Sequence, residues 1–205
     1  MLRFFTHVLL GATAIVFAAT PPGFRPSTDK SLAVAYGNIS ALNGVDLPQA
    51  LTRNEPIFGT TEPLVGTSFT IIMVDIDIPT ENPPATDTYL HWFRTGFVQD
   101  SSPTLLSLNN GSAYSIYQFR SNHGDQAHYV SPAPPAKTPL RHRYVEILVD
   151  TSNISGEAAT IMGGVASLNR KGVNVEGILT QAGLIDKVVA GNWFTITNPG
   201  PEENS

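Results

Sequence analysis

The sequence predicts a single, mainly β domain, and three observations carry that prediction. Apolar segments rich in β-branched and aromatic residues recur along the chain, each bounded by Gly, Pro, Asn or Asp. Such segments fit a pleated, half-buried surface. The 16 prolines fall largely between these segments, at Pro79, Pro83-Pro84, Pro132 and Pro134-Pro135, where they stiffen connections without interrupting a ladder. Only one stretch keeps a helical period. A chain of 205 residues with no internal repeat and no linker-like break in composition suits one domain with one substantial core.

The elements follow in chain order. Residues 1–6 carry Arg3 as their only charge, and an apolar run then extends from Val8 to Ala19. That run has the length of a signal-peptide core and falls short of the roughly 20 residues a membrane span needs. Val16 and Ala18 are small residues at the positions a signal peptidase reads, and Pro21-Pro22 breaks any helix soon afterwards. Residues 1–19 are therefore read as a removable signal peptide, 20–198 as the domain and 199–205 as a polar tail. The protein is expected to be secreted and extracellular. Asn-x-Ser triplets at Asn38, Asn110 and Asn153 are glycosylation candidates that fit the same route.

Residues 32–36 form a short strand candidate. Residues 68–74 are the strongest, almost continuously apolar, as a central strand buried on both faces would be. Residues 89–97, 113–119 and 143–149 are further strands, and 193–197 is a shorter one. Val175, Ile178, Leu179 and Ala182 fall at i, i+3, i+4 and i+7, with Asn174 as N-cap and Gly183 near the C-terminal end. Residues 151–172 show no clear period and read as loop with at most a turn of helix.

Composition narrows the function. Twelve Lys and Arg against 17 Asp and Glu give a formal charge of -5, which argues against a nucleic-acid partner or a basic membrane-binding face. The absence of cysteine excludes a disulfide framework, a thiolate zinc site and a Cys nucleophile. No Gly-x-Ser-x-Gly elbow, Walker loop, His-Glu-x-x-His or dinucleotide glycine pattern is found.

The remaining chemistry is concentrated in aspartates and histidines. Asp75 and Asp77 end the strongest strand, and strand alternation places both on one face. Two carboxylates so close repel unless a cation or hydrogen bonds compensate, and the plain alternative is that they bind backbone N–H groups in the following turn. His91 lies within a strand between aromatics. His142 sits in Arg141-His142-Arg143, a local positive spot suited to an anion such as phosphate. His123 and His128 belong to a polar loop and are expected to be exposed.

These residues match a family pattern. Asp75-Ile76-Asp77-Ile78-Pro79, then Tyr89-Leu90-His91-Trp92, resembles the first signature of the phosphatidylethanolamine-binding proteins. Ser131-Pro132-Ala133-Pro134-Pro135, then His142-Arg143-Tyr144, resembles the second, and Val188-Val189-Ala190-Gly191 echoes a third. The resemblance implies a central antiparallel sheet packed on a smaller one, with short peripheral helices. It also implies a preformed pocket for a phosphate or phospholipid headgroup, lined by Asp75, Asp77, His91, Pro134, Pro135 and His142, with Pro79 and Tyr89 as walls. Ile76, Ser131 and Ala133 depart from the family pattern, and the C-terminal helix that rims the pocket in animal members has no counterpart after Thr197. A more open pocket is the expected consequence.

The resemblance implies a non-enzymatic binder without cofactor or stable membrane insertion. A peptidase inhibitor, acting on a serine-carboxypeptidase-type target, is the alternative, with the segment from Pro21 to Pro26 as an extended arm. A third reading makes Asp75, Asp77, His91 and His142 a metal-assisted hydrolase site.

Overall fold

The computed structural model describes residues 19–108, 110–165 and 169–200. The expected signal peptide, apart from Ala19, and tail residues 201–205 lie outside them. Ten strands run in the order β1 (Ala33–Tyr36), β2 (Ile39–Ser40), β3 (Ile57–Thr60), β4 (Phe69–Pro79), β5 (Thr86–Gln99), β6 (Thr104–Ser107), β7 (Ala113–Arg120), β8 (Asp125–Ala127), β9 (Arg141–Asp150) and β10 (Val188–Thr197). Helices α1 (Gly156–Gly164) and α2 (Val175–Gln181) lie between β9 and β10. Every named strand pair is antiparallel, and the order across the sheet is β10-β9-β4-β5-β7-β3-β1-β2.

The 14-residue β5 makes the sheet curl. Thr86 to Phe97 run beside β4, while Val98 and Gln99 at its end pair with β7. The second half of the sheet thereby folds over the first, giving the larger and smaller layers that the family resemblance implies. β4 is central, between β5 and β9, and alternation divides its side chains between two apolar clusters. Ile71 and Met73 face the inter-sheet core with Phe58, Trp92, Tyr144 and Phe194. Ile72 and Val74 face the helix-covered side with Phe93, Val145, Met162 and Leu179. Burial on both faces is why this segment has no polar alternation.

α2 forms as its period predicts. The Asn174 side chain accepts a hydrogen bond from the Gly177 N–H at 2.9 Å, satisfying one of the donors left free at a helix start. Gly183 takes φ +66° beyond the C-cap Ala182, a conformation open to glycine. The reading of 151–172 as loop is corrected by α1. Ser155 caps it through the Ala158 N–H, and Ala158 and Met162 pack into the helix-side core. Its weak period reflects a short helix held by contact on one side.

The N-terminal segment also departs from expectation. Ala19 and Thr20 are buried, and the Ala19 N–H donates to the Thr28 carbonyl at 3.1 Å. Lys30 and Leu32 bracket Gly191 with backbone hydrogen bonds of 2.8 and 2.7 Å. A Cβ on Gly191 would stand 2.8 Å from Thr20 Cγ2 and 2.9 Å from Thr28 Cγ2, so glycine permits this close approach. Residues on both sides of Pro21–Pro26 are thus tied to β10, and Phe24 within it packs on the helix-side core, while Pro22, Gly23 and Arg25 stay exposed.

Candidate anion-binding site

Neighbouring β4 and β9 build the centre of the site, with β5 supplying a third side. Asp75 continues the Ile71–Met73 face of β4, and His142, Tyr144 and Glu146 follow one another on the same face of β9. Asp75 Oδ2 accepts a hydrogen bond from His142 Nδ1 at 2.7 Å, with both side chains almost wholly buried. Asp75 Oδ1 accepts from the Asp77 N–H at 2.8 Å. With its Nδ1–H given to Asp75, His142 presents Nε2 as an acceptor on the neutral ring and as a donor on the imidazolium.

His91 on β5 is held from the other side. Its Nδ1 donates to the Val130 carbonyl at 2.7 Å, and its main-chain carbonyl accepts from the Val130 N–H at 2.9 Å. Its ring centroid is 5.1 Å from those of both Tyr89 and Tyr144, edge to face in each case. Burial lowers the His91 pKa from the ordinary 6.5, against smaller upward contributions from the Val130 carbonyl and Asp75. Tyr144 stacks on Phe194 with centroids 5.3 Å apart. Burial, then the nearby Asp75 carboxylate, raises its phenol well above the ordinary range.

Two buried polar atoms here lack an aligned partner: His142 Nε2 and the Tyr144 hydroxyl. Buried polar groups are ordinarily hydrogen-bonded, and an unmade bond costs about 1–3 kcal/mol. Two such atoms, two residues apart on one strand face, make this the candidate site. Tyr144 was absent from the sequence-based site, although alternation from His142 was the signal that could have found it.

Other expected residues take different roles. The aspartates do not act as one dicarboxylate: Asp75 holds His142, while Asp77, beyond the last β4–β9 pair, holds Arg143. Asp77 binds Arg143 in a fork, with Nε at 2.7 Å and Nη2 at 2.7 Å, and also accepts the Arg143 backbone N–H at 2.8 Å. Arg141 turns to Thr195 and lies 3.7 Å from Asp46. The expected positive spot over residues 141–143 is thus corrected, since both arginines are engaged by acids and only His142 points into the site. Among the described residues no group of three or more His, Asp or Glu converges as metal ligands. His123 and His128 are exposed.

The prolines divide. Pro134 is buried, and its carbonyl accepts from Asn198 Nδ2 at 2.8 Å, whereas Pro135 is exposed. Pro79 pairs with Thr86 at the far end of β4, four residues or roughly 13 Å along the strand from Asp75. The site is closely covered: His142 is fully buried and His91 is 5% exposed. Asn198 explains the closure, because its backbone N–H binds the Leu140 carbonyl while its side chain holds Pro134. One residue after β10 thereby ties down the loop over the site.

A family model described as phosphatidylethanolamine-binding protein matches residues 38–194. Phomoidride biosynthesis cluster protein N of Talaromyces stipitatus is 27% identical over 207 residues, spanning 95% of this chain and 98% of that protein. Protein TWIN SISTER of FT from Arabidopsis thaliana is 30% identical over 118 residues, 58% of this chain and 56% of its own length. The crystal structure of carboxypeptidase Y inhibitor complexed with its cognate proteinase shares the fold. It matches with a TM-score of 0.55 at 21% identity, over 84% of this chain and 85% of that one.

Proposed function

Because the chain belongs to the phosphatidylethanolamine-binding protein family, we propose that it is a secreted, non-enzymatic protein that binds a phosphate or phospholipid headgroup between His91, His142 and Tyr144. The unpartnered His142 Nε2 and Tyr144 hydroxyl carry this reading. A phosphate oxygen can accept from Tyr144, and a P–OH can donate to the neutral His142 ring. Asp75 fixes the His142 tautomer and balances its charge when protonated. No helix among the described residues is long and apolar enough to cross a membrane, consistent with headgroup capture without insertion. Asn38, Asn110 and Asn153 are exposed, as glycosylation on a secretory route requires.

Calorimetric titration with phosphorylethanolamine tests the site. Tyr144→Phe is expected to weaken binding by about 10–100-fold, the value of one hydrogen bond to a charged group. It should leave unfolding resistance equal or higher, since the change removes a buried hydroxyl that lies near Asp75 without an aligned partner. Unchanged affinity would remove Tyr144 from the site.

The pH dependence has a defined sign. His91 is neutral until the pH falls below the ordinary histidine value, because burial lowers its pKa. Only then does its Nε2 become a donor. Affinity for sulfate, whose own charge is constant there, should rise below about pH 6.5 and stay nearly flat above it. A His91→Ala protein should lose that rise. The same acid-side increase in the variant would assign the proton to another group.

Inhibition of a serine-carboxypeptidase-type peptidase is the second reading, favoured by the fold shared with carboxypeptidase Y inhibitor. A peptidase assay with Tyr144→Phe separates the two, since inhibition through a distant surface would survive loss of headgroup binding.

A further inference from the structure

A cleft of about 520 Å3 lies beside the sheet, and Asp75, His91 and His142 do not line it. Its floor is Val74 and Ile76, the β4 residues that alternate with the site aspartates, so it opens on the helix-covered side. One wall is the N-terminal turn, with Phe24 packed against that core. The opposite wall is the chain entering α2, which contributes buried Val173 and Val175. Its volume lies within the 300–1,000 Å3 or so that small-molecule sites occupy.

Asp87 stands at the base of this apolar basin, half-buried. Its Oδ1 accepts from the Thr88 N–H at 2.8 Å. Among the described residues its Oδ2 receives no hydrogen bond, and the carboxylate makes no ion pair. Gly172, at φ +77°, passes directly over it: a Cβ there would stand 3.8 and 4.0 Å from the two oxygens. The other lining charges do not supply a counterion. The Arg143 guanidinium is forked onto Asp77, while Arg25 and Glu176 are exposed and opposite in sign. The cleft therefore offers a half-buried carboxylate oxygen without a partner over a hydrocarbon floor, an acceptor that an ammonium group can fill.

We infer that this cleft is a second ligand site, for a small amphipathic amine whose ammonium meets Asp87 and whose hydrocarbon body covers Ile76, Val173 and Phe24. It is independent of the anion site, and the two are expected to fill without competition. Three probes of matched shape test it by calorimetry on the full chain: phenethylamine, phenethyl alcohol and hydrocinnamate. Phenethylamine should bind at least tenfold more tightly than the alcohol, and hydrocinnamate most weakly. Asp87→Asn keeps the acceptor for Thr88 and should reduce the amine to the affinity of the alcohol, leaving phosphorylethanolamine titration unchanged. Ile76→Ala, which thins the floor, should weaken amine and alcohol alike. Saturating phosphorylethanolamine should not displace the amine. The inference is overturned if phenethylamine fails to bind at millimolar concentration, if hydrocinnamate binds better, or if Asp87→Asn binds the amine as the parent does. All three probes are titrated with phosphorylethanolamine already saturating the anion site, so that the carboxylate of hydrocinnamate reports on the cleft alone.

Discussion

Glu146→Gln is expected to raise stability at pH 8 by an amount on the order of 5 kcal/mol and to flatten its dependence on pH. Glu146 lies on β9, two residues beyond Tyr144, and is fully buried, with no ion pair among the described residues. Asn192 Nδ2 donates to its Oε2 at 2.8 Å, and the Tyr36 hydroxyl lies 3.5 Å from Oε1. These bonds lower the pKa, but burial outweighs them and pushes the carboxyl up to about 8. Below the ordinary carboxyl value of 4.5, folded and unfolded chains both hold the proton. Between 4.5 and about 8 only the folded chain keeps it, so stability falls by about 1.4 kcal/mol for each pH unit gained. The contribution is gone once the pH passes the folded value. Glutamine keeps the acceptor for Asn192, offers an N–H to Tyr36 and cannot ionise. Urea unfolding at several pH values between 5 and 9, parent beside variant, measures the difference. Parallel curves would mean that Glu146 is not the group that loses its proton.

Asp75→Ala has the second large effect, and here the sign is loss. The change strips the acceptor from His142 Nδ1 and from the Asp77 N–H together, in a place where neither donor can reach water. Breaking one side of a buried pair costs about 3–5 kcal/mol. The neighbouring Asp77→Ala removes more hydrogen bonds yet should cost less than half as much, because the Arg143 side chain is 36% exposed and can return to solvent. Thermal or urea unfolding of both variants compares them directly. Equal losses would contradict the assignment of burial as the deciding factor. Asp75→Ala should also abolish phosphorylethanolamine binding, since His142 loses its fixed tautomer, whereas Asp77→Ala should retain part of it.

Local patterns were sufficient wherever the cause of structure was local. The continuous apolar run of β4 and the period of α2 both reappear in the fold, as do the Asn174 cap and the exposed histidine loop. Short elements escaped notice where contact stabilises them. β3 and β6 have four residues each, β8 has three, and α1 owes its place to a serine cap and two side chains docked on the sheet. The site divided along the same line. Asp75, His91 and His142 were legible as chemistry-bearing residues in a family pattern, while Tyr144 and Glu146 looked like ordinary members of a core strand.

By itself the sequence determined the β class, the strand that would be central, the family and the residues from which an anion site could be made. Tertiary structure alone decided the partners. Asp75 and His142 are 67 residues apart in the chain, and Asp77 and Arg143 are 66. One carboxylate therefore received a histidine and the other an arginine only when β4 and β9 paired in one register. Among the described residues, the same pairing buried Glu146 without an ion pair and left the Tyr144 hydroxyl without an aligned partner. Charge and hydrogen-bond energies depend on separation and on exclusion from water, and both are properties of the folded arrangement.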